Sequence, residues 1–200
     1  MWAFIGTYDI VKQWNENALL VGNIEIPYTG LALESVEGGA TVAEISSFQL
    51  ETMLTFKPRV SAILNITPDH LDRHKTMENY ANVKKSIAKN QTEDDYCILN
   101  YDDPVLKEFA KDCKAKVIFF SSREKLSDGF YYSDGKIYLA KNGSSEVFVD
   151  TWEVNLVGVH NFENIMAAAA MTMSFGVPLD IIKETVKRFV AVEHRIDFCI

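Results

Sequence analysis

Two short polar segments carry the residue types best suited to chemistry in this chain. The first is Glu44-Ile-Ser-Ser-Phe-Gln-Leu-Glu51, in which a carboxylate and two hydroxyls follow a β-prone run. The second is Asn65-Ile-Thr-Pro-Asp-His-Leu-Asp-Arg-His74, which follows an apolar run and ends in five charged or imidazole side chains within six residues. Oxygen ligands and a neutral imidazole suit a hard cation such as Mg²⁺. Two other interpretations stay open: a helix cap at Ser46 or Ser47, and a solvated charged turn.

A lysine shares the apolar face of the helix that is predicted to follow the second segment. Met77, Tyr80 and Ile87 form an apolar stripe at helical spacing, and Lys84 follows Tyr80 by four residues. Either this lysine lays its stem along the core with its head in water, or it is a partly buried amine. A partly buried amine near the His70 loop requires a partner.

Two further segments could contact a nucleotide. His160-Asn-Phe-Glu-Asn164 begins an Ala-rich helix, and an Asn side chain can pair with a purine edge through its donor and acceptor. Helix capping by Asn161 is the alternative explanation. In Glu193-His-Arg195 an arginine could hold phosphate, although three residues alone are a weak signal. The phosphate-binding pattern Gly-x-x-x-x-Gly-Lys-Ser/Thr does not occur in the 200 residues.

Strands that alternate with helices predict an α/β fold with a mostly parallel, doubly wound sheet. From residue 40 onwards the pattern predicts strands at 41–45, 60–66, 96–100 and 116–120, with helices between them from Phe48, from Thr76 and over 104–113. Residues 121–157 instead predict a small antiparallel β-meander, because turns at Ser133-Asp-Gly135 and Asn142-Gly143 separate short strands. Ligands of such sheets bind beyond the carboxyl ends of the parallel strands, where both polar segments begin.

Composition excludes several classes of protein. The chain has 20 Lys+Arg and 28 Asp+Glu, a formal net charge of −8, which argues against a binder of nucleic acid or of an anionic membrane. Aromatic residues make up 12% of the chain, which argues against disorder. The sequence therefore predicts an acidic, folded protein.

Cysteine usage and apolar stretches predict a cytoplasmic location. Three cysteines without a Cys-x-x-Cys spacing suit a reducing compartment. The N-terminus has no basic region of the kind that begins a signal peptide. Residues 165–177 form the longest candidate membrane stretch, whereas a span needs about 20 apolar residues. We expect no membrane insertion.

The order of the motifs along the chain resembles the Mur ligase family. They are Gly22-Asn-Ile-x-Ile-Pro27, Glu44-x-Ser-Ser-Phe-Gln-Leu-Glu51, Asn65-x-Thr-x-Asp-His-Leu-Asp-Arg73, Tyr80-x-x-x-Lys84, His160-Asn-x-x-Asn164 and Glu193-His-Arg195. The Ser-Ser-Phe-Gln-Leu-Glu and His-Leu-Asp-Arg strings are similar to the D-glutamate-adding branch, whereas the branch that adds diaminopimelate or lysine typically has Ser-Ser-His. The resemblance covers about residues 20–200.

The resemblance implies a monomeric, cytoplasmic, ATP- and Mg²⁺-dependent amide ligase of peptidoglycan synthesis. In that family ATP phosphorylates the terminal carboxylate of the substrate, here UDP-N-acetylmuramoyl-L-alanine, and the amine of D-glutamate attacks the acyl phosphate. The resemblance implies the following roles: Glu44 and His70 for two magnesium ions, Lys84 as a carbamylated lysine at the His70 site, Asn164 for adenine, Arg195 for the nucleotide, and Asn23 and Ser46 for the muramoyl substrate.

Two departures from the family pattern bear on activity. Glu25 stands where the family usually has glycine, and the Gly-Thr-Asn-Gly-Lys-Thr loop does not precede Gly22. The resemblance implies that residues 1–189 are a truncated ATP-binding middle domain without its P-loop, that 121–157 are a meander inside it, and that 190–200 begin a C-terminal domain. We therefore expect little ligase turnover from these residues alone. The alternatives are a non-catalytic nucleotide- or metal-binding remnant, and another amide ligase of the Mur or folylpolyglutamate type.

Overall fold

The computed structural model describes residues 2–23 and 26–189. Its helices are α1 Trp2–Trp14, α2 Tyr28–Leu31, α3 Ser47–Thr52, α4 Leu71–His74, α5 Met77–Lys85, α6 Pro104–Phe109, α7 Val159–Phe175 and α8 Leu179–Lys187. Its strands are β1 Ala18–Gly22, β2 Ala40–Glu44, β3 Val60–Ile63, β4 Tyr96–Asn100, β5 Lys116–Ser121, β6 Gly129–Ser133, β7 Lys136–Lys141 and β8 Ser144–Asp150. Single 3₁₀ turns occupy Ala32–Glu34, Ser86–Ala88 and Thr151–Glu153.

The strands form two hydrogen-bonded sheets. β1 and β2 pair in parallel as a two-stranded sheet. The other six strands follow one another in chain order, parallel from β3 to β6 and antiparallel from β6 to β8. The predicted mostly parallel α/β sheet with an antiparallel meander is therefore confirmed, and the structure adds a break between β2 and β3.

Helices cover both faces of the parallel strands, as the side chains of β4 illustrate. Ile98 belongs to the core cluster that contains residues of α1, α7 and α8, whereas Cys97 and Leu99 belong to the cluster formed with α5 and α6. All three side chains are fully buried. A strand that is buried on both faces has a continuous apolar sequence, and burying each large aliphatic side chain contributes about 1.5–3 kcal/mol. The strand ends are thus anchored in a packed core.

The two predicted hairpin turns are confirmed by their backbone angles. Asp134 and Gly135 have φ values of 52° and 76°, and Asn142 and Gly143 have 51° and 79°. Positive φ at both central residues is typical of the two-residue turns that match the twist of antiparallel strands. These turns separate β6, β7 and β8 in the predicted order.

Other local predictions need correction. Asn161 does not cap α7: Gly158 precedes that helix, and the side-chain amide of Asn161 donates to the Val157 carbonyl at 2.7 Å. The predicted helix 104–113 ends at Phe109, and a one-turn helix, α4, occupies part of the predicted loop. The sequence pattern did not predict α1 or β1. In the described part of the chain, no helix has the length and apolar character required to cross a membrane.

Candidate functional site

The carboxyl ends of β1 and β2 bring Asn23 and Glu44 together. Gly22 ends β1 with φ +132°, and a Cβ atom there would lie 2.1 Å from the carbonyl oxygen of Glu44. The next amide, that of Asn23, donates to the same carbonyl oxygen at 2.8 Å. Only glycine permits so close an approach of the two backbones. Asn23 is exposed, so its side chain is accessible from solvent beside Glu44.

Glu44 carries an unsatisfied oxygen. Its Oε2 atom is buried and makes no hydrogen bond with the described residues. An unpaired buried polar atom costs free energy, and a bound cation would supply the partner. Within the described ranges, no group of three or more His, Cys, Asp or Glu side chains converges on a possible metal position. This arrangement fits Mg²⁺, which keeps several waters and needs only one or two protein ligands beside substrate phosphates.

Ser46 caps α3, as one interpretation of the first segment predicts. Its hydroxyl accepts from the amide of Gln49 at 3.3 Å, and the side chain of Gln49 accepts from the amide of Ser46 at 2.8 Å. This reciprocal capping box satisfies backbone donors that the helix itself leaves unpaired. A substrate contact at Ser46 would therefore share a hydroxyl that already has a structural role.

His70 begins α4 from an exposed, left-handed position. Its φ and ψ are 50° and 33°, an uncommon conformation for a residue other than glycine. The side chain is 47% exposed, and its Nε2 atom lies 3.4 Å from Oδ2 of the adjacent Asp69. Its ring packs at 4.9 Å from the ring of Phe48, between centroids. The imidazole is thus presented to solvent with a nitrogen within reach of a ligand.

Lys84 lies on the face of α5 that the helical spacing predicts. Its Nζ atom lies 5.0 Å from the centroid of the buried Tyr80 ring, and the residue is half-buried. Its Nζ atom makes neither an ion pair nor a hydrogen bond with the described residues. Lys85 points elsewhere and lies 5.9 Å from the ring of Phe109. The two neighbouring lysines therefore have different environments.

A small cavity joins β3 to α7. It has a volume of about 170 Å³ and is lined by Leu64, Asn65, Phe120, His160, Glu163 and Asn164. Asn65 comes from the second polar segment, two residues after β3, whereas His160 and Asn164 come from the third segment. The structure thus brings together two motifs that are about a hundred residues apart in sequence.

Hydroxyls at the end of β5 connect this cavity to two carboxylates. The Ser122 hydroxyl donates to Glu163 at 2.5 Å, and the Ser122 amide donates to Asp102 at 2.8 Å. Ser121 also donates its hydroxyl to Asp102, at 2.6 Å. Neither Asp102 nor Glu163 was predicted as a site residue. Asp102 follows β4 by two residues, and this position next to a strand end is the signal that could have found it. Glu163 lies in the third segment, within α7, at a position to which the sequence analysis gave no role.

The buried network around His74 was also missed. Its Nε2 atom lies 3.0 Å from the hydroxyl of Ser47, and its Nδ1 atom lies 3.4 Å from Glu51. Glu51 in turn accepts from Arg73 at 2.6 Å, and this hydrogen bond lowers the pKa of the Glu51 carboxyl. The four-residue spacing of Ser47 and Glu51 indicates a shared helix face, but nothing in the sequence indicates that His74 lies between them.

Three residues singled out in the sequence lie outside the described ranges. They are Arg195, Glu193 and Glu25. Their roles therefore stay predictions from the sequence.

Comparison with known proteins places these residues in a family. Residues 4–172 match the Mur ligase middle domain. The chain is 52% identical over 190 residues to UDP-N-acetylmuramoylalanine–D-glutamate ligase of Lachnospira eligens, covering 94% of this chain and 42% of that protein. It is 46% identical over 190 residues to the protein of the same name from Thermoanaerobacter pseudethanolicus, covering 95% of this chain and 42% of that protein. The chain thus spans less than half the length of these curated relatives.

Solved structures share the fold at low sequence identity. A UDP-N-acetylmuramoyl-L-alanyl-D-glutamate–2,6-diaminopimelate ligase superposes with a TM-score of 0.73 at 19% identity, covering 96% of this chain and 45% of that one. The MurF ligase of Thermotoga maritima, solved in complex with ADP, superposes with a TM-score of 0.64 at 19% identity, covering 94% and 46%. At this identity the likeness shows the fold alone.

Proposed function

The chain belongs to the Mur ligase family, and we propose that it is the ATP-binding middle domain of a ligase that adds D-glutamate to UDP-N-acetylmuramoyl-L-alanine. The observation that carries this proposal is the 52% identity over 190 residues to a protein of that name. The domain comprises residues 1–189, including the meander at 121–157, and residues 190–200 begin a C-terminal domain. The reaction belongs to peptidoglycan synthesis and takes place in the cytoplasm, with the enzyme as a monomer.

The proposed reaction is an amide ligation in two steps. The γ-phosphoryl group of ATP passes to the terminal carboxylate of UDP-N-acetylmuramoyl-L-alanine, which gives an acyl phosphate and ADP. The amine of D-glutamate then attacks the acyl carbon, a C–N bond forms, phosphate leaves and a proton is released. Catalysis of phosphoryl transfer depends mainly on positioning and on neutralising charge, and Mg²⁺ supplies that neutralisation when bound.

Glu44 and His70 are the proposed protein ligands of two magnesium ions. The support for Glu44 is its buried, unpaired Oε2 atom. The support for His70 is its exposed ring, whose nitrogen has, among the described residues, only the side chain of Asp69 as a polar neighbour. Both the Glu44 carboxylate and the His70 imidazole would gain a partner when a cation binds.

Lys84 is proposed to react with carbon dioxide. The ammonium group would first lose one proton, and the neutral amine would then form an N–C bond to CO₂ and release a second proton, so that a cationic side chain becomes an anionic carboxylate. The half-buried position above Tyr80, without an anionic partner among the described groups, supports this role. The new carboxylate would be an oxygen ligand next to the His70 site.

The remaining assignments concern the residues that would contact ATP and the muramoyl substrate. Asn164, which lines the cavity between β3 and α7, is proposed to contact adenine, and Arg195 to contact the nucleotide. Asn23 and Ser46 are proposed to face the muramoyl substrate, and the exposure of Asn23 beside Glu44 supports the first of these.

A chimeric full-length enzyme tests the proposal. Residues 1–189 of this chain replace the matching segment of the Lachnospira eligens protein, and phosphate release is measured with each substrate omitted in turn. We expect release to require both UDP-N-acetylmuramoyl-L-alanine and D-glutamate, and diaminopimelate not to replace D-glutamate. Release that prefers diaminopimelate would overturn the substrate assignment. The 200-residue chain alone is expected to show little turnover, because it has no P-loop lysine.

Lys84 is tested in the same chimera. Lys84→Ala is expected to lose most activity, and short carboxylic acids are expected to restore part of it by replacing the carbamate. Lys85→Ala is the matched control, since that neighbouring lysine points to Phe109 instead. Equal losses in the two variants, or no rescue by acetate, would contradict the role of Lys84.

A further inference from the structure

Three rings in contact with one another connect His70 to Lys84. The Phe48 ring centroid lies 4.9 Å from that of His70, and the His74 ring stacks on Phe48 at 5.8 Å with an angle of 8° between the planes. The Tyr80 ring packs on His74 at 5.2 Å, and the Nζ atom of Lys84 lies 5.0 Å from the centroid of Tyr80. We call Phe48, His74 and Tyr80 the aromatic column. It links segments of α3, α4 and α5.

His74 is the buried centre of this column, and both of its ring nitrogens have neighbours. Its side chain is 2% exposed. The Glu51 carboxylate beside Nδ1 accepts but cannot donate, so it favours the tautomer with a proton on Nδ1. The unprotonated Nε2 atom then accepts from the hydroxyl of Ser47. These two partners leave the His74 ring with one favoured orientation.

Glu51 and Arg73 are the charged groups next to the column. Arg73 donates to Glu51 at 2.6 Å, and its guanidinium carbon lies 5.5 Å from the centroid of the Phe48 ring. The hydrogen bond from Arg73 lowers the pKa of Glu51, which keeps the carboxylate ionised beside His74. Glu51 therefore connects α3 to two residues of α4.

The set of Ser47, His74 and Glu51 has the order of a nucleophile, a base and an orienting carboxylate. Burial argues against a nucleophilic role, because Ser47 is only 5% exposed and its hydroxyl is taken up by His74. Ser47 and Glu51 instead hold the His74 ring in place through their contacts with its two nitrogen atoms.

We propose that His74 is a positioning residue, which holds His70 and Lys84 in a fixed arrangement through the aromatic column. The proposal rests on the proposed function, which assigns His70 and Lys84 to one metal site. Neither residue is well held by its own polar contacts: His70 has only its neighbour Asp69, and Lys84 has only the Tyr80 ring among the described groups. Metal ligands bind better when they are oriented before the metal arrives, and packing on Phe48 and Tyr80, which both contact the fixed His74 ring, supplies that order.

Substitutions of His74 in the 200-residue chain test the proposal by NMR and by Mg²⁺ titration. His74→Leu removes the ring and both polar contacts. We expect the imidazole resonances of His70 and the ε-methylene resonances of Lys84 to move, and Mg²⁺ to bind about 10–100-fold more weakly. His74→Phe keeps the stacked ring and is expected to return both sets of resonances most of the way towards those of the unsubstituted chain.

Gln91→Leu is the control for loss of a buried polar side chain. Gln91 is 1% exposed, and its side chain makes three hydrogen bonds, to Ser61, Pro58 and Tyr96, at the amino-terminal end of β3 and β4. This variant is expected to lose stability while the resonances of His70 and Lys84 stay unchanged. A change common to both buried variants would indicate general loosening of the fold and would overturn the proposal.

The outcomes separate the inference from the proposed function. If His74→Leu folds and the resonances of His70 and Lys84 do not move, the positioning role is wrong. A ¹⁵N spectrum that places the His74 proton on Nε2 would also overturn it, because Ser47 would then have to accept. If the unsubstituted chain does not bind Mg²⁺, the metal site of the proposed function fails, while the resonances still decide whether the column positions the two side chains.

Discussion

Replacing Glu44 by methionine should change stability in opposite directions with and without magnesium. In the chain without metal, the Oε2 atom of Glu44 is buried and has no partner among the described residues. Glu44→Met keeps the length of the side chain and removes both carboxylate oxygens. The substitution therefore removes the unpaired buried atom, and it also removes the proposed metal ligand.

The size of the effect follows from the burial of one oxygen. An unsatisfied buried polar group costs about 1–3 kcal/mol. Because Glu44 as a residue is partly exposed, we take the lower end and expect Glu44→Met to raise the free energy of unfolding by about 1 kcal/mol. For a chain of this size that corresponds to a Tm higher by about 2–4 °C. Mg²⁺ at 100 times its Kd would stabilise the unsubstituted chain by about 2.7 kcal/mol, so the order of stability reverses.

Thermal unfolding followed by circular dichroism measures the Tm of each chain, once in chelator and once in excess Mg²⁺. Glu93→Met is the matched control, because Glu93 is an exposed carboxylate before β4, in the other sheet. The stability of the Glu93→Met chain should stay within about 0.5 kcal/mol of the unsubstituted chain in both conditions. Two results would refute the reasoning: a Glu44→Met chain that is less stable than the unsubstituted chain in chelator, or equal stabilisation of both chains by Mg²⁺.

Two further predictions concern a backbone contact and a thiol. Gly22→Ala should lower the free energy of unfolding, measured in urea, by at least about 2 kcal/mol, because the added Cβ would lie 2.1 Å from the Glu44 carbonyl oxygen. Gly38→Ala is the control: no atom lies within 4 Å of its added Cβ, and the substitution should cost about 1 kcal/mol. Equal costs for the two variants would contradict the clash at Gly22. Hydrogen bonding from Cys97 lowers the pKa of Cys113 to about 7. The rate at which iodoacetamide alkylates Cys113 should therefore have its midpoint near pH 7, while the buried Cys97 stays unmodified. A midpoint at the pH of an ordinary thiol would count against this contact.

Local patterns were sufficient for the elements whose cause lies within a few residues. The apolar run at Tyr96–Asn100 is a strand with the predicted bounds. Asn142-Gly143 is a hairpin turn because these residue types tolerate positive φ. Ser46 caps α3 through a residue three positions ahead, and helical spacing was enough to place Lys84 on the face of Tyr80. Capping by Asn161 was wrong, because Gly158 occupies the cap position before Val159, and Asn161 lies within the first turn of the helix.

The order of the motifs was also readable from the sequence and led to the family, which the match over residues 4–172 confirms. The roles of individual residues stay predictions, because a motif names a side chain without showing what surrounds it. Glu44 illustrates the difference. Its place after a strand was visible in the sequence, whereas the buried and unpaired state of its Oε2 atom is a property of the packed structure.

Only the tertiary structure brought distant residues into contact. Asn65 and Asn164 line one cavity although 99 positions separate them, and His74 bonds to Ser47 across 27 positions. Such contacts depend on the path of the whole chain and on which faces of α3, α4 and α5 pack together, and no local periodicity encodes them. The residue types that the proposed reaction needs were therefore visible in the sequence, but their relative positions follow from long-range packing.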